Sequence, residues 1–500
     1  MTAELELLKS QDKKIMQLKG IEALLSWDQE TILPEKANDY RSEQMGLISS
    51  IIQEEATKDN LRNAVEVLSG DDSLSLEDKA LVRYYNRFFQ GEANLPVSLV
   101  KQEGELLGKS HQAWVKARQN DDFAAFAPYL SALIELAKKK AKIIAPEKNS
   151  YDALLDLYEE GLNQEMLDPL FDDLKRSPHE LMDKIKSAKV NDEFLFKPYD
   201  EKALHSFSLE LNKKMGFDYL RGYVALSAHP FTTSIGPDDV RITTRYTDPS
   251  LFDPISSIVH ETGHALYDSH ASLNPAIRGT SIGQGVSMGI HESQSRFWEN
   301  MMGRSYAYWQ SMYPSLQECI PHLRDVSLED FYKAINKVNP SAIRVNADEV
   351  TYNLHIILRY EMEKLLFNGE YNINELPQKW NELSKQIIRY EVKNDSEGIL
   401  QDVHWAGGLF GYFPTYSLGN LYSATFRKKM IEDFGGEDNL NAILKSGSWC
   451  EITKWQNENI WKYGGIYTPS QLVERVSGKS LDADAFKVYL IEKYTRIYNL

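Results

Sequence analysis

The chain is poor in the features that mark secreted and membrane proteins. Its 500 residues include two cysteines, Cys319 and Cys450, which are too few for a disulfide framework or a cysteine-rich zinc site. No apolar run reaches the roughly 18 residues that a membrane span needs, so we expect no membrane partner. Residues 1–6 carry no basic stretch followed by an apolar core, as a secretory signal would. A cytoplasmic protein is the simplest expectation.

Basic residues are also in the minority. Lysine and arginine number 56 against 73 aspartates and glutamates, which gives a net charge of −17. Nucleic acid rewards a basic protein face, so we expect no nucleic-acid partner. A hydrophobic fraction of 42% over this length is enough to bury the core of one large domain or of two lobes.

Helical periodicity dominates what is present. Amphipathic helices are predicted along most of the chain, separated by short polar breaks. They cover residues 3–25, 38–57, 75–91, 95–118, 123–143, 163–187, 200–215, 328–337, 347–368, 375–392 and 418–434. No internal repeat or flexible linker interrupts them, so a single, mainly helical domain over residues 1–500 is predicted.

One region departs from helical periodicity. Between His229 and Thr247, β-branched residues alternate on both sides of a turn at Gly236-Pro237, which predicts a β-hairpin. The fold class is therefore all-α with a small hairpin or sheet. The hairpin ends about a dozen residues before His260, and a strand edge beside a reactive site can pair with an extended peptide, which favours a peptide substrate. Alternatively, the hairpin only supports the fold.

The most informative pattern is H-E-x-x-H at residues 260–264, inside a segment predicted to be helical. Residues three and four apart share one face of a helix, so His260 and His264 can reach one metal ion. Glu261 projects beside them, where it can take a proton from a metal-bound water. Two imidazoles and a base on one element therefore predict a zinc site for hydrolysis.

The surroundings of this pentapeptide also favour a helix. Asp253 is predicted to cap it, with Pro254 in its first turn and Asn274 marking its end. An apolar stripe at helical spacing is formed by Ile255, Ile258, Val259, Thr262 and Leu266. The two histidines and Glu261 lie on a different strip, which leaves them available for chemistry.

Zinc needs a third protein ligand and one open position for water or substrate. The same helix cannot readily supply that ligand, because three points on one strip do not surround an ion. Asp268, one turn past His264, is therefore interpreted as a group behind the ligands or in solvent, and His270 is a weaker candidate. Glu292, on a predicted helix over residues 289–298, is a better source. The pattern alone leaves open whether Glu292 is a ligand or a surface carboxylate.

Six short motifs in order carry a resemblance to a known family. They are H-P-F at 229–231, D-x-R-x-T at 239–243, H-E-x-x-H at 260–264, H-E-S-Q at 291–294, I-R-x-x-A-D at 343–348 and G-x-x-Q-D-x-H-W at 398–405. Together with W-D-Q-E-T at 27–31, they resemble the carboxypeptidase Taq family of zinc metallocarboxypeptidases. No motif position departs from the family pattern.

The resemblance implies two helical lobes that flank a deep groove, akin in architecture to angiotensin-converting enzyme and neurolysin. It implies release of single residues from the carboxyl ends of peptides, with broad specificity, by a homodimer. It also implies that Glu292 is the third zinc ligand beside His260 and His264. One zinc ion per chain is expected, and cobalt or manganese are possible substitutes.

Further residues are assigned to the reaction. Glu261 should take the proton of the attacking water and deliver it to the leaving amine. His404 and Tyr416 are candidate hydrogen-bond donors to the charge that develops on the substrate, and Tyr412 is a candidate for lining the substrate site. A buried structural role is the alternative for each tyrosine.

An exopeptidase must also recognise a free carboxylate, which a guanidinium does well through paired hydrogen bonds. Arg344 is the first candidate and Arg241 the second, while His229 can contact the substrate backbone. The alternatives are arginines that bridge elements through Asp348 or Asp239, and a hydrogen-bonded core histidine.

Two other functions compete with a carboxypeptidase. The first is an oligoendopeptidase of the same fold, which would cleave inside short peptides. The second is a helical scaffold that binds peptides without hydrolysing them. A scaffold would lack a base at position 261, and Glu261 is present.

Overall fold

The computed structural model describes residues 2–185, 189–247, 249–369 and 371–500, and helices account for most of them. The helices of the first half are α1 (Ala3–Thr31), α2 (Asn38–Ala56), α3 (Asp59–Leu68), α4 (Leu76–Gln90), α5 (Val97–Asn120), α6 (Phe123–Ile144), α7 (Ser150–Tyr158), α8 (Gln164–Leu174), α9 (Arg176–Ile185) and α10 (Glu201–Met215). Strands β1 (Gly222–Leu226), β2 (Thr232–Gly236) and β3 (Asp239–Thr244) follow.

The second half is again helical. Its helices are α11 (Phe252–Ala271), α12 (Met288–Arg296), α13 (Tyr306–Cys319), α14 (Leu328–Ile335), α15 (Tyr352–Asn368), α16 (Leu376–Leu383), α17 (Pro414–Asp433), α18 (Glu437–Ser446), α19 (Cys450–Asn459), α20 (Pro469–Ser477) and α21 (Asp484–Tyr498). Two π-helical stretches, Phe297–Met302 and Ser384–Ile388, continue α12 and α16. Across the described ranges, no helix has both the length and the low polarity that a membrane crossing requires.

The chain divides into two compact units, each built from three separated segments. The first unit comprises Met1–Phe89, Val190–Ile335 and Tyr422–Leu481. The second unit comprises Gln90–Lys189, Asn336–Leu421 and Asp482–Leu500. The H-E-x-x-H and H-E-S-Q motifs belong to the first unit, and the I-R-x-x-A-D and G-x-x-Q-D-x-H-W motifs belong to the second.

The predicted hairpin is confirmed, and it belongs to a sheet of three strands. β2 and β3 pair antiparallel, and β1 pairs with β3 in parallel, giving the order β1-β3-β2. Sequence analysis missed β1 because a five-residue apolar run has no periodicity that separates strand from helix. Ile242 of β3 is the register partner of Thr232 of β2, so both side chains lie on one face of the sheet.

The helix of the H-E-x-x-H motif is confirmed, but its ends differ from the prediction. Its apolar stripe is buried as expected. Asp253 is not the cap, because α11 begins one residue earlier, where the hydroxyl of Ser250 accepts from the backbone N–H of Phe252. The helix ends at Ala271, and Asn274 instead accepts from the backbone N–H of Ala276 in a turn beyond it.

Other predicted helices also differ in their bounds: the one predicted over 3–25 ends at Thr31, and the one predicted over 418–434 begins at Pro414. The helix predicted over 163–187 breaks at Lys175, because Pro178 has no N–H and its ring excludes a helical carbonyl four residues earlier. The end of that prediction, at 186–187, lies outside the described residues. The helix predicted from 347 begins at Tyr352, because Asp348 accepts the backbone N–H groups of Val350 and Thr351 in a turn.

Candidate active site

Two helices in contact bring the candidate metal ligands together. His260 and His264 lie on α11, and Glu292 lies on α12. The helices are close together at Gly263, where an added Cβ atom would lie 2.6 Å from backbone atoms of α12. A side chain at this position would therefore push α12 away. The glycine inside H-E-T-G-H thus permits Glu292 to reach the two imidazoles.

The donor atoms of these three residues converge. Oε2 of Glu292 lies 3.8 Å from Nε2 of His260 and 3.6 Å from Nε2 of His264. All three donor atoms lie within 4.8 Å of one another. Two ligands of a tetrahedral zinc ion with bonds near 2.1 Å are about 3.4 Å apart. The residues therefore fit one such ion, and the structure brings together the predicted ligand set.

A carboxylate orients His260 from behind. Nδ1 of His260 lies 2.9 Å from Oε2 of Glu299, in the π-helical stretch that follows α12. Glu299 is itself held by the hydroxyl of Ser256 at 2.9 Å and by the guanidinium of Arg296 at 3.1 Å. Arg296 also donates to Glu292 at 2.7 Å. Because Nδ1 is engaged, Nε2 of His260 is the nitrogen presented to a metal.

A second histidine orients His264. Nδ1 of His264 lies 2.6 Å from Nδ1 of His291, whose Nε2 lies 3.0 Å from Oδ1 of Asp268. A metal-binding Nε2 on His264 requires the proton on Nδ1, so His264 donates to His291 and His291 donates to Asp268. Asp268 therefore lies behind the ligands, one of the two positions considered for it.

Burial and charged neighbours set the protonation of these groups. Burial lowers the pKa of His260, but the carboxylates of Glu292 and Glu299 outweigh it and raise that pKa to about 9. Burial lowers the pKa of His264 well below its usual value, which keeps that ring neutral. Burial raises the pKa of Glu299, but Arg296 and His260 outweigh it and hold the pKa low. The two carboxylates therefore favour positive charge between them, as a cation site requires.

Glu261 is buried on α11 and is held by the sheet. The hydroxyl of Thr232 donates to Oε2 of Glu261 at 2.6 Å and lies 2.9 Å from its backbone carbonyl oxygen. Burial raises the pKa of Glu261, and His260 and the hydrogen bond from Thr232 partly offset the effect. β2, which begins just after the H-P-F motif, thus fixes the direction of this carboxylate.

Residues of the I-R-x-x-A-D and G-x-x-Q-D-x-H-W motifs meet in the second unit. Asp402 accepts from two buried guanidinium groups, Nη2 of Arg344 at 2.8 Å and Nε of Arg359 at 2.7 Å. Arg344 also donates to the hydroxyl of Tyr352 at 3.1 Å. Arg344 therefore pairs with Asp402 and not with Asp348, the bridge that the sequence suggested. Its role toward substrate stays a prediction.

His404, Tyr412 and Tyr416 form an aromatic cluster beside this ion pair. The hydroxyl of Tyr416 lies 3.2 Å from Nε2 of His404. The ring of Tyr412 lies 5.7 Å from that of His404 and 5.3 Å from that of Tyr416, while Arg344 lies 4.9 Å from the centre of the Tyr416 ring. Burial lowers the pKa of His404 to about 4, against the opposing charge of Asp402. The ring is therefore neutral near pH 7.

Arg241 lies on the face of the sheet opposite α11. Its guanidinium pairs with Asp239 at 2.7 Å and lies 4.6 Å from the ring centre of Trp27. Ile242, the next residue on β3, is buried on the other face, where its partner Thr232 reaches α11. The bridge to Asp239, considered as the alternative for Arg241, is therefore present.

Two histidines considered in the sequence lie outside both clusters. Nδ1 of His270 lies 2.8 Å from the backbone carbonyl oxygen of Leu266 on its own helix, and its ring packs on Trp461 at 4.7 Å. The group of described residues that can hold a metal does not include His270. His229 is exposed, so the alternative of a core histidine is wrong, while a contact with substrate stays a prediction.

Sequence reasoning missed four residues that support the site: Glu299, Arg296, His291 and Thr232. A signal existed for two of them, because Arg296 and Glu299 follow Glu292 at spacings that return to the same helical face. His291 was visible in the H-E-S-Q motif but had no assigned partner. Thr232 carried no signal, because its contact with α11 depends on how the sheet packs.

Comparisons with known proteins show what the chain is similar to. A family model described as carboxypeptidase Taq (M32) metallopeptidase matches residues 7–494. The chain is 39% identical to thermostable carboxypeptidase 1 of Thermus thermophilus, with 96% of each chain covered. It is 37% identical to carboxypeptidase 1 of Bacillus subtilis, with 98% of this chain and 97% of the relative covered. The solved M32 carboxypeptidase from Deinococcus radiodurans superposes with a TM-score of 0.96 at 33% identity, covering 100% of both chains.

Proposed function

The chain belongs to the carboxypeptidase Taq (M32) metallopeptidase family, and on this premise we propose which of its residues perform the reaction. The protein is a metallocarboxypeptidase. The metal is zinc, held by His260, His264 and Glu292. The observation that carries this assignment is the convergence of two imidazole nitrogens and one carboxylate oxygen, the donor set of many catalytic zinc sites. Cobalt and manganese are possible substitutes.

Zinc, when bound, supplies Lewis acidity toward the scissile carbonyl and toward water. Glu261 takes the proton of the attacking water and then delivers it to the nitrogen of the leaving amine. The hydrogen bond from Thr232 supports this role, because it holds one carboxylate oxygen at 2.6 Å and so limits rotation of the side chain. The carboxylate that takes up and releases the proton is thus held in place by Thr232.

His404 and Tyr416 donate hydrogen bonds to the oxygen on which negative charge develops. The contact between their side chains, at 3.2 Å, supports a joint role. Because burial lowers the pKa of His404 to about 4, the ring acts as a neutral donor near pH 7. Tyr412 lines the same cluster and contacts the substrate.

Arg344 binds the free carboxylate at the end of the substrate. Its guanidinium is held by Asp402 and by Tyr352, which fixes its orientation and lowers the entropy lost on binding a second anion. Arg241 is the second candidate for this role, and His229 contacts the backbone of the substrate. The substrates are peptides with a free carboxyl terminus, and the products are single amino acids.

Timed digestion of one defined, unblocked peptide tests this function. Mass spectrometry should show a ladder that shortens one residue at a time from the carboxyl end. A chelator should stop the ladder, and zinc should restore it, with one zinc per chain found by elemental analysis. Internal cuts would instead identify an oligoendopeptidase, and intact peptide with bound zinc would identify a scaffold.

Replacement of the base tests the mechanism. Glu261→Gln should keep zinc and lose about 10²–10⁴-fold in kcat, because general base catalysis is removed while the ligands remain. Thr232→Val should lower kcat less, because it removes only the hydroxyl that holds Glu261. Near-normal turnover in Glu261→Gln would reject this residue as the base.

The protein is further proposed to be a cytoplasmic homodimer. Both cysteines are free, and Cys450 is exposed, which suits a reducing compartment. The dimer follows from likeness to the family. Light scattering on the purified chain distinguishes a dimer from a monomer.

A further inference from the structure

A buried carboxylate ties down the segment that carries His404 and Tyr412. Glu363 lies on α15 and is completely buried. Its Oε1 accepts from the indole N–H of Trp405 at 2.8 Å, and its Oε2 accepts from the backbone N–H of Gly411 at 2.9 Å. One donor follows His404 directly in the sequence and the other directly precedes Tyr412. A single side chain therefore holds both ends of residues 404–412.

A third hydrogen bond fixes the carboxylate itself. The hydroxyl of Tyr151, on α7, donates to Oε2 of Glu363 at 2.8 Å. Gly411 lies against the same helix with a φ of +85°, and an added Cβ atom would lie 2.8 Å from the carbonyl group of Leu154. Only glycine accepts both this conformation and this approach. Contacts with α7 and α15 thus fix the backbone position of Gly411, near the end of residues 404–412.

The same face of α15 also holds Asp402, two residues before His404. Arg359, one turn before Glu363, donates to Asp402 at 2.7 Å. Consecutive turns of one helix therefore bind Asp402 and Trp405, on either side of His404. Burial raises the pKa of Glu363 to about 7, and the three hydrogen bonds and Arg359 oppose that shift. A carboxylate buried to this extent is stable only while its hydrogen bonds are present. Loss of one donor leaves part of a buried polar group unpaired, which lowers the free energy of unfolding.

We propose that Glu363 is a positioning residue for the carboxypeptidase reaction, which holds Trp405 and Gly411 so that His404 and Tyr412 meet the substrate in one arrangement. The inference rests on the roles proposed above for His404 and Tyr412. It also gives a role to Trp405, the last residue of the G-x-x-Q-D-x-H-W motif, because its indole N–H donates the hydrogen bond to Glu363.

Two single-donor variants separate positioning from stability. Trp405→Phe and Tyr151→Phe each remove one hydrogen bond to the same carboxylate, but only Trp405→Phe releases the catalytic segment. We expect kcat to fall about 10-fold in Trp405→Phe and about 10²-fold in Glu363→Gln, since small misplacements of reacting groups are that costly. Tyr151→Phe should stay within about 3-fold of the parent. Zinc content should not change in any of the three.

Glu349 offers a matched control in the same unit. It is a buried carboxylate that accepts from Tyr489 and Lys493 of α21, at 2.8 Å and 2.6 Å, without a bond to residues 404–412. Glu349→Gln should lower the urea midpoint yet leave kcat unchanged. In addition, the ring-carbon resonance of His404 in histidine-labelled enzyme should shift in Glu363→Gln and not in Glu349→Gln.

Two results would overturn the proposal. Equal losses of kcat in Trp405→Phe and Tyr151→Phe, or in Glu363→Gln and Glu349→Gln, would assign Glu363 to stability alone. The variant His404→Gln separates this inference from the proposed function. Full activity of His404→Gln would remove the role of His404 and this inference with it. A slow His404→Gln beside a fully active Glu363→Gln would remove only the inference.

Discussion

Nδ1 of His260 lies 2.9 Å from Oε2 of Glu299, so one of the proposed ligand histidines is oriented by a carboxylate from the π-helical stretch that continues the helix of Glu292. Arg296 lies between these two carboxylates and donates to both. The arrangement couples the direction of the His260 ring to the position of α12. The orientation of the proposed ligands therefore depends on the packing of α11 against α12 and the stretch that follows it.

Glu299→Gln should weaken zinc binding about 10–100-fold, because the amide orients the His260 ring less strongly and removes a charge behind it. The dissociation constant is measured by competition with a chromophoric chelator. Glu329→Gln, in an exposed pair with Lys333, is the control and should bind zinc as the parent does. An unchanged dissociation constant in Glu299→Gln would show that His260 needs no support from this side chain.

Gly263→Ala should reduce both stability and zinc affinity. The new methyl group would meet backbone atoms of α12 at 2.6 Å, so the helices must separate and carry Glu292 away from the histidines. Overpacking of this kind costs about 1–3 kcal/mol in the free energy of unfolding. Gly46→Ala is the matched control, since that helical glycine has no atom within 4 Å of the added position. Urea unfolding and zinc titration of both variants check the prediction, and equal behaviour would contradict it.

Arg344→Lys should slow hydrolysis of free-acid peptides about 10–100-fold while changing hydrolysis of the amidated forms much less, because lysine cannot form the paired hydrogen bonds. Because lysine keeps a positive charge beside Asp402, the variant should fold, and the change in rate then reports the geometry of the hydrogen bonds to the substrate carboxylate. The ratio of kcat/KM for each peptide and its amide is the measurement. Equal losses on both substrates would assign Arg344 to structure.

Protonation of His404 should lower the stability of the protein in acid. Burial lowers the pKa of this ring from 6.5 to about 4, so the unfolded chain takes up a proton before the folded protein does. The free energy of unfolding is therefore not reduced by this ring above pH 6.5, and it falls by an amount on the order of 3 kcal/mol as the pH drops toward 4. His404→Gln should therefore lose less stability between these pH values, as measured by urea unfolding. Parallel curves for both proteins would contradict the lowered pKa.

Much of the helical fold was readable from periodicity, and two departures from the prediction have local causes. Pro178 breaks a predicted helix because it lacks an N–H group, and Asp348 delays another because its side chain binds the backbone of a turn. β1 escaped prediction because it joins β3 through a parallel pairing that no turn signal announces. That pairing depends on a partner outside the local segment.

The sequence by itself determined the chemistry of α11, because a spacing of four residues places His260 and His264 on one helical face beside Glu261. The motifs, through their likeness to a family, also pointed to Glu292. Only the tertiary structure decided which groups stand behind these residues. Glu299, Thr232 and Glu363 act through contacts made by packing between separate elements, and no local pattern in the sequence specifies which of many buried carboxylates or hydroxyls will meet a given side chain.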